Sequence, residues 1–487
     1  MNNYVRLPRN YSLMSDSYEF KMAYSYFKRG NINDIAIFDV FFRKVPNGGG
    51  YAIMAGLDKI IDYIKNLSFE EDELNHLRKY GYNEDFIEYL RNFKFSGDIY
   101  AIPDGSVVFP NEPLLTVKAP LIEAQIIETA LLSMVNGAME HATGARRVIE
   151  STPKGVPVME FGARRADGPE AAIDSSIYGV MAGCAGTSNV IVADMLGMKA
   201  LGTMAHSYIE SFDNEYEAFK EFATIYPENA TLLVDTYDTL RSGVPNAIKT
   251  FKFMKDNNIP TDNIGIRIDS GDLAYLSKEA RKMLDNAGFE NAKICLSNGL
   301  NAYTIETLVN QGAVFDSLGV GDNISKPEGR MGCVYKLVAI IRNDEVIAKT
   351  KLSNDTIKIV NPDFKKLYRA YNKETGYAIA DIMTRRGEKI TEDDLIIVSL
   401  NDFLKSIKIN NFYLRELQTL IFENGVLVYE EPSISEKIAY CNKEMESIYP
   451  EIKRLVKPQT YYVDGSEEYA NFKKDMILEL RNKARGE

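Results

Sequence analysis

Two short blocks near the middle of the chain combine residue types that could do chemistry. They are Glu160-Phe161-Gly162-Ala163-Arg164-Arg165-Ala166 and, about 40 residues on, Gly202-Thr203-Met204-Ala205-His206-Ser207. Each follows or ends a short apolar run, so each sets a charged or titratable group just past an expected strand end. In a βα-barrel that edge carries the chemistry. Guanidinium groups fork onto carboxylate and phosphate oxygens, so Arg164 and Arg165 point to an anionic ligand. His206, one of three histidines in the chain, lies on the same expected rim.

Four later strand ends are as polar. They carry Asp235-Thr236-Tyr237-Asp238, Arg267-Ile268-Asp269-Ser270-Gly271-Asp272, Ser297-Asn298-Gly299, and Gly319-Val320-Gly321 followed by Asp322-Asn323. On barrel strands these ends converge on one pocket. Glycines there let backbone N–H groups approach an anion, and helix N-termini favour phosphate. Aspartates can hold Mg²⁺ or a ribose diol beside the phosphates. Taken singly, each residue has a plainer reading. An Asp-Ser-Gly after a strand is a helix cap, a surface arginine is an ion-pair partner, Phe161 is core and His206 is a solvated histidine. A purely structural barrel has little reason to collect so many polar ends on one rim.

The elements that must position these groups follow from periodicity. Apolar runs at Val156–Phe161, Ala200–Ala205, Leu232–Tyr237, Ile264–Asp269, Lys293–Ser297 and Phe315–Val320 alternate with helical stretches. Such alternation implies a parallel sheet covered on both faces. About seven βα units fit a barrel better than an open sheet. Upstream, Leu13–Phe27 and Leu57–Leu67 have helical spacing, and Asp34–Arg43 reads as a strand. Phe95–Val108 reads as paired strands around Pro103-Asp104-Gly105-Ser106, and Pro120 to about Ile149 as a long buried helix. Beyond Gly332 the chain turns β-rich, then helical towards its end.

Composition excludes several classes. With 57 basic against 69 acidic residues the net charge is −12, which argues against nucleic-acid or anionic-membrane partners but allows a basic pocket in an acidic shell. No run is long enough to span a bilayer. The N-terminus lacks a signal-peptide pattern. Cys184, Cys295, Cys333 and Cys441 are scattered, which fits reduced thiols in a cytoplasmic protein rather than a disulfide framework or a zinc site.

Together these blocks resemble nicotinate phosphoribosyltransferase, from about Tyr11 to about Lys365, and most specifically at Glu160–Arg165, Gly202–Ser207, Asp235–Asp238 and Arg267–Asp272. The resemblance implies an α/β protein with an incomplete βα-barrel at 121–340, an N-terminal α/β domain at 1–120, and a C-terminal region at 341–487 that partly completes the N-terminal domain. It implies transfer of the phosphoribosyl group of 5-phosphoribosyl-1-diphosphate to nicotinate, giving nicotinate mononucleotide and pyrophosphate in NAD biosynthesis. It also implies coupling to ATP hydrolysis through a phosphohistidine at His206.

By the same resemblance, Phe161 and a partner-subunit Tyr18, beside Asp16, hold the pyridine ring. Arg164, Arg165 and Arg267 bind the carboxylate and phosphate ends, with the division among them open. Asp235 and Asp269 lie near the ribose and the diphosphate, and Asp269 with Asp272 would hold Mg²⁺. Ser297, Asn298, Gly299, Gly319 and Gly321 form the 5′-phosphate cradle. Arg43 and Lys336 line the diphosphate region. The sharing of Asp16, Tyr18 and Arg43 implies a homodimer. Thr187 and Ser188 bear on substrate choice. Nicotinamide-using relatives carry aspartate where this chain has Ser188. Serine can donate to a carboxylate that aspartate would repel, which favours the acid over the amide. Nicotinamide or quinolinate as substrate, and a ligand-binding barrel without turnover, are the competing readings. A C-terminal zinc cluster found in some members is not implied here.

Overall fold

The computed structural model describes residues 10–352, 359–392 and 394–486, so the polar N-terminus read for a signal lies mostly outside the described residues. The chain divides into two compact units, Glu140–Glu328 and Met1–Met139 with Gly329–Glu487. These are not the boundaries expected at 120 and 340. The first falls within a long helix, Glu128–Glu150. The second moves because Val334–Arg342 pairs antiparallel with Ile35–Phe41, which draws the residues after 328 into the N-terminal unit.

The unit Glu140–Glu328 holds a parallel sheet. Its strands are β1 (Val158–Glu160), β2 (Gly186–Thr187), β3 (Ala230–Leu233), β4 (Ile264–Ile268), β5 (Lys293–Leu296) and β6 (Ser317–Val320), in the order β2-β1-β6-β5-β4-β3. Ile264, Ile266, Ile268, Leu232, Ile294, Leu296 and Leu318 are buried. Strands covered on both faces read as continuous apolar runs for this reason. The helices α1 (Pro169–Met181), α2 (Val190–Met195), α3 (His206–Glu210), α4 (Glu215–Ile225), α5 (Val244–Asp256), α6 (Leu273–Asn286), α7 (Ala302–Asn310) and α8 (Asp322–Ser325) fill the connections. Asn214, Asp272 and Asn301 cap α4, α6 and α7 by accepting backbone N–H bonds.

Six strands form among the described residues where about seven were expected. Gly186–Thr187 forms without an apolar run to announce it, whereas Ala200–Ala205, one of the six runs named, forms no strand. A single backbone bond, Leu201 N–H to Thr187 O at 2.8 Å, ties it to β2. Gly202, at φ +156°, breaks the pleat there. The sheet is a half-barrel with β2 and β3 as its edges.

The other unit contains a seven-stranded sheet in the order Glu345–Ala348, Val334–Arg342, Ile35–Phe41, Leu115–Pro120, Asp98–Ala101, Thr419–Glu423, Val426–Leu427. A second, six-stranded sheet is built from 365–466, and Ile434–Glu446 and Glu467–Arg485 are helices. The expected pairing within Phe95–Val108 does not occur. Asp98–Ala101 pairs with Leu115–Pro120 and Thr419–Glu423, and Val107–Val108 pairs with Ala52–Ile53. The intervening turn is claimed by Met54, whose backbone bonds Gly105 and Ser106. Among the described residues no helix is long and apolar enough to cross a membrane. All four cysteines are buried and none is in a disulfide among the described residues.

Candidate active site

The C-terminal ends of the half-barrel strands gather most of the expected groups. At the end of β1 the Glu160 carboxylate is fully buried. One oxygen accepts from Ser176 Oγ at 2.9 Å and Thr187 Oγ1 at 2.5 Å, and the other accepts from Gly162 N–H. Ser188 N–H donates to Glu160 O at 2.9 Å. Glu160 therefore fixes the two turns that present Phe161 and Ser188. Glu160 has no role legible in its sequence block, because only the fold shows that the carboxylate turns inward.

Phe161 rests on Gly319. A Cβ added at Gly319 would stand 2.6 Å from two ring carbons of Phe161, so only glycine admits the ring. Gly162 is as confined, against Gly321 O and Ser325. Arg164 and Arg165 are exposed on the next turn, with Arg165 Nε 3.4 Å from Asp322 Oδ1. Beyond β5, Asn298 (φ 90°) and Gly299 (φ 59°) both turn left-handed. Among the described residues the N–H groups of Asn298, Gly299 and Leu300 have no backbone partner. Ser297 is buried beside them.

The centre of the site is a chain of contacts. Ser297 Oγ donates to Asp269 Oδ1 at 2.5 Å. Asp269 Oδ2 lies 3.5 Å from Arg267 Nη2 and 3.9 Å from His206 Nε2. Arg267, rising from β4, also donates to Thr203 Oγ1 at 2.9 Å and Met204 O at 3.3 Å, which pins the loop that carries His206. Its Nε is buried with no partner. His206 Nδ1 lies 3.1 Å from Thr236 Oγ1. Asp235 accepts from Ser270 Oγ at 2.5 Å through Oδ2, while its Oδ1 is buried and unpartnered. Thr203, Thr236 and Ser270 were not singled out from sequence. Their signal in sequence is that of small hydroxyls close to charged groups in the same strand-end blocks.

Asp272 stands apart from this chain. Its carboxylate caps α6, accepting Tyr275 N–H at 3.0 Å. The orphan oxygen of Asp235 and the partly open Asp269 fit a Mg²⁺ ion shared with a diphosphate, which needs only one or two carboxylates. Among the described residues no group of three metal ligands forms a cage. Burial pushes the thiols of Cys184 and Cys295 up, which disfavours the thiolate that a nucleophile needs.

Asp16, Tyr18, Arg43 and Lys336 belong to the other unit. Asp16 precedes the helix Ser17–Arg29, and Tyr18 on its first turn is 45% exposed. Glu128 interacts with both Tyr18 and Lys336. Burial, with Glu128 beside it, raises the Tyr18 phenol. Burial also raises the Glu128 carboxyl, against the pull of Lys336 and Tyr18. Arg43 covers the Phe41 ring, and its Nε is buried and unpartnered. Arg43 and Lys44 border a cavity of ≈ 970 Å³.

A parallel half-barrel with arginines, carboxylates, a histidine and free N–H groups on its strand ends defines an enzyme of the α/β class for phosphorylated, anionic ligands. Family models agree and cover the chain in three parts. They are the nicotinate phosphoribosyltransferase N-terminal domain at 13–136, the nicotinate phosphoribosyltransferase family at 156–369 and the C-terminal domain at 364–473. The chain is 40% identical over 481 residues to nicotinate phosphoribosyltransferase of Bacillus subtilis, covering 97% of this chain and 96% of the relative. It is 33% identical to nicotinate phosphoribosyltransferase 2 of Arabidopsis thaliana, over 94% and 93% of the two chains. The crystal structure of human nicotinic acid phosphoribosyltransferase superposes with a TM-score of 0.83 at 25% identity, covering 95% of this chain and 99% of that one. The chain belongs to the nicotinate phosphoribosyltransferase family, as an enzyme of NAD biosynthesis.

Proposed function

We propose that this enzyme couples nicotinate phosphoribosyl transfer to ATP hydrolysis through a phosphorylated His206. The observation that carries the reading is the contact chain Ser297–Asp269–Arg267, with His206 beside Asp269 on the same rim. It sets a nucleophilic imidazole next to a guanidinium and carboxylates suited to phosphates.

In the transfer step the C1–O bond of 5-phosphoribosyl-1-diphosphate breaks, and the pyridine nitrogen forms the C1–N bond. Diphosphate leaves with the electron pair. Arg267 meets the charge that develops on the leaving group, and the free N–H groups at 298–300 hold the 5′-phosphate. Phe161 stacks the pyridine ring, and Arg164 or Arg165 meets its carboxylate. Thr187 and Ser188 shape the same end of the pocket, where Ser188 favours a carboxylate. Mg²⁺, on Asp235 and Asp269, would neutralise the diphosphate; Asp272, as a helix cap, is the weaker candidate ligand.

The reading includes a cytoplasmic homodimer, in which Tyr18, beside Asp16, faces the pyridine ring and Arg43 and Lys336 line the diphosphate region of a shared site. The exposed ring of Tyr18 supports that role. The test is a turnover assay with nicotinate, the diphosphate sugar, Mg²⁺ and ATP. Nicotinate mononucleotide should form faster with ATP than without. In His206→Ala the ratio of the two rates should fall to unity. Stimulation by ATP that survives this change rejects the phosphohistidine.

A further inference from the structure

We infer that Asn323 is a positioning residue for the 5′-phosphate, resting on the reading of 298–300 as part of its cradle. The side-chain amide of Asn323 joins the two strand ends that make up the cradle. It thereby holds the free N–H groups of 298–300 in their binding geometry.

The loop after β5 needs such a hold. Asn298 and Gly299 are both left-handed, at φ 90° and 59°. A non-glycine residue at positive φ persists only where its surroundings fix it. The N–H groups of Asn298, Gly299 and Leu300 have no backbone partner among the described residues, so no backbone bond from them fixes the loop. Its shape must come from its two ends.

The first end is Ser297. Its N–H bonds Ile268 O at 3.0 Å, and its hydroxyl donates to Asp269 Oδ1 at 2.5 Å. The second end is the peptide between Leu300 and Asn301, which is held on both sides. Its N–H, from Asn301, donates to Thr304 Oγ1 at 2.7 Å in the capping box of α7. Its carbonyl, Leu300 O, accepts from Asn323 Nδ2 at 2.8 Å. A carbonyl only accepts, so the amide turns its NH₂ this way. Of these contacts, the Asn323 bond is the one that crosses to the β6 side.

Asn323 is itself firmly seated. It lies on α8, two residues past Gly321 of the cradle. The N–H groups of Ile324 and Ser325 bond Gly321 O at 3.0 and 3.2 Å. Buried His141 donates from Nδ1 to Ile324 O at 3.0 Å. Gly144 lies on the same face of that helix. A Cβ there would stand 3.1 Å from Asn323 O and 2.7 Å from Pro327 Cβ, so α8 rests against the glycine. Residues 141–144 thus back α8, and α8 aims the amide at Leu300.

Without the amide, Leu300 O loses this donor, and the loop is free to turn its N–H groups away from the phosphate. At the other end of the pocket, Phe161 and Ser188 are held by Gly319 and Glu160 instead. The loss therefore falls on the phosphate rather than on the ring.

The test titrates the full-length enzyme, by calorimetry, with nicotinate mononucleotide and with nicotinate riboside, which lacks the 5′-phosphate. Wild type should bind the mononucleotide more tightly. Asn323→Ala should weaken the mononucleotide about tenfold, the upper range for one neutral hydrogen bond, and raise KM for the diphosphate sugar alike. Riboside affinity and KM for nicotinate should stay at their wild-type values. Asn323→Leu, of similar size and without a donor, is measured beside it in case the alanine variant does not fold. Unchanged mononucleotide affinity in either folded variant overturns the proposal. So does an equal weakening of mononucleotide and riboside, which a merely structural role would produce. A wild type that binds the riboside as tightly as the mononucleotide overturns instead the reading of the cradle, and this proposal with it.

Discussion

At the scale of single residues, the pocket floor depends on an atom that is absent. Phe161 and Gly319 are each unremarkable in sequence, a core aromatic and a strand glycine. In the structure the glycine's bare face admits the ring. Gly319→Ala should push Phe161 out of place and raise KM for nicotinate on the order of tenfold, with a smaller change in kcat and an unaltered circular dichroism spectrum. An unchanged KM would remove Phe161 from the nicotinate site. Ser188 makes a complementary prediction. Its backbone is fixed by Glu160 O, so a longer side chain keeps its direction. Ser188→Asp should lower the preference for nicotinate over nicotinamide, read as the ratio of kcat/KM values. The chemistry of this pocket was legible because arginine, histidine and aspartate announce themselves. The hydroxyls of Thr203, Thr236 and Ser270 were not, because their role depends on which charged group the fold sets beside them.

At the scale of elements, the alternating apolar runs disclosed five of the six barrel strands and the helices between them. They misjudged Ala200–Ala205, whose composition suits a strand but whose glycine permits only one ladder bond. The same ambiguity attends Asp272. A carboxylate after Ser-Gly can hold a metal or cap a helix, and the Tyr275 N–H bond favours the cap. Asp272→Ala should therefore cost about 1 kcal/mol of stability, as removed N-caps do. Asp272→Asn should recover most of it, and neither change should alter the Mg²⁺ concentration for half-maximal activity. Chemical denaturation and a Mg²⁺ titration of turnover measure the two. A raised Mg²⁺ requirement in both variants would make Asp272 a metal ligand after all.

At the scale of the whole chain, the C-terminal residues are joined to the N-terminal ones by buried charge, which no sequence pattern disclosed because its members are far apart. Arg369 is fully buried and forks onto Asp381 at 2.8 and 2.6 Å. It also reaches Glu444 at 3.1 Å and Val107 O at 2.9 Å. Tyr461 O–H donates to Asp381 at 2.9 Å. Glu112, fully buried, completes the cluster, its Oε1 3.8 Å from Arg369 and without a hydrogen-bond partner. Burial, and then the charge of Asp381, hold the Glu112 carboxyl well above its usual range. Between the ordinary glutamate range and that raised value, the folded chain holds the Glu112 proton more tightly than the unfolded chain does. A raised folded value means that this contribution is fully present at low pH. It is lost as pH climbs from the ordinary glutamate range towards the folded value, by about 1.4 kcal/mol per pH unit. Glu112→Gln keeps the shape and removes the titration. The stability difference, variant minus wild type, should therefore grow by about 1.4 kcal/mol per pH unit as pH rises above the ordinary glutamate range. Urea unfolding of both proteins across that rise measures it. A difference that stays flat with pH would mean that Glu112 is ionised in the folded protein, with Arg369 rather than a proton as its counter-charge.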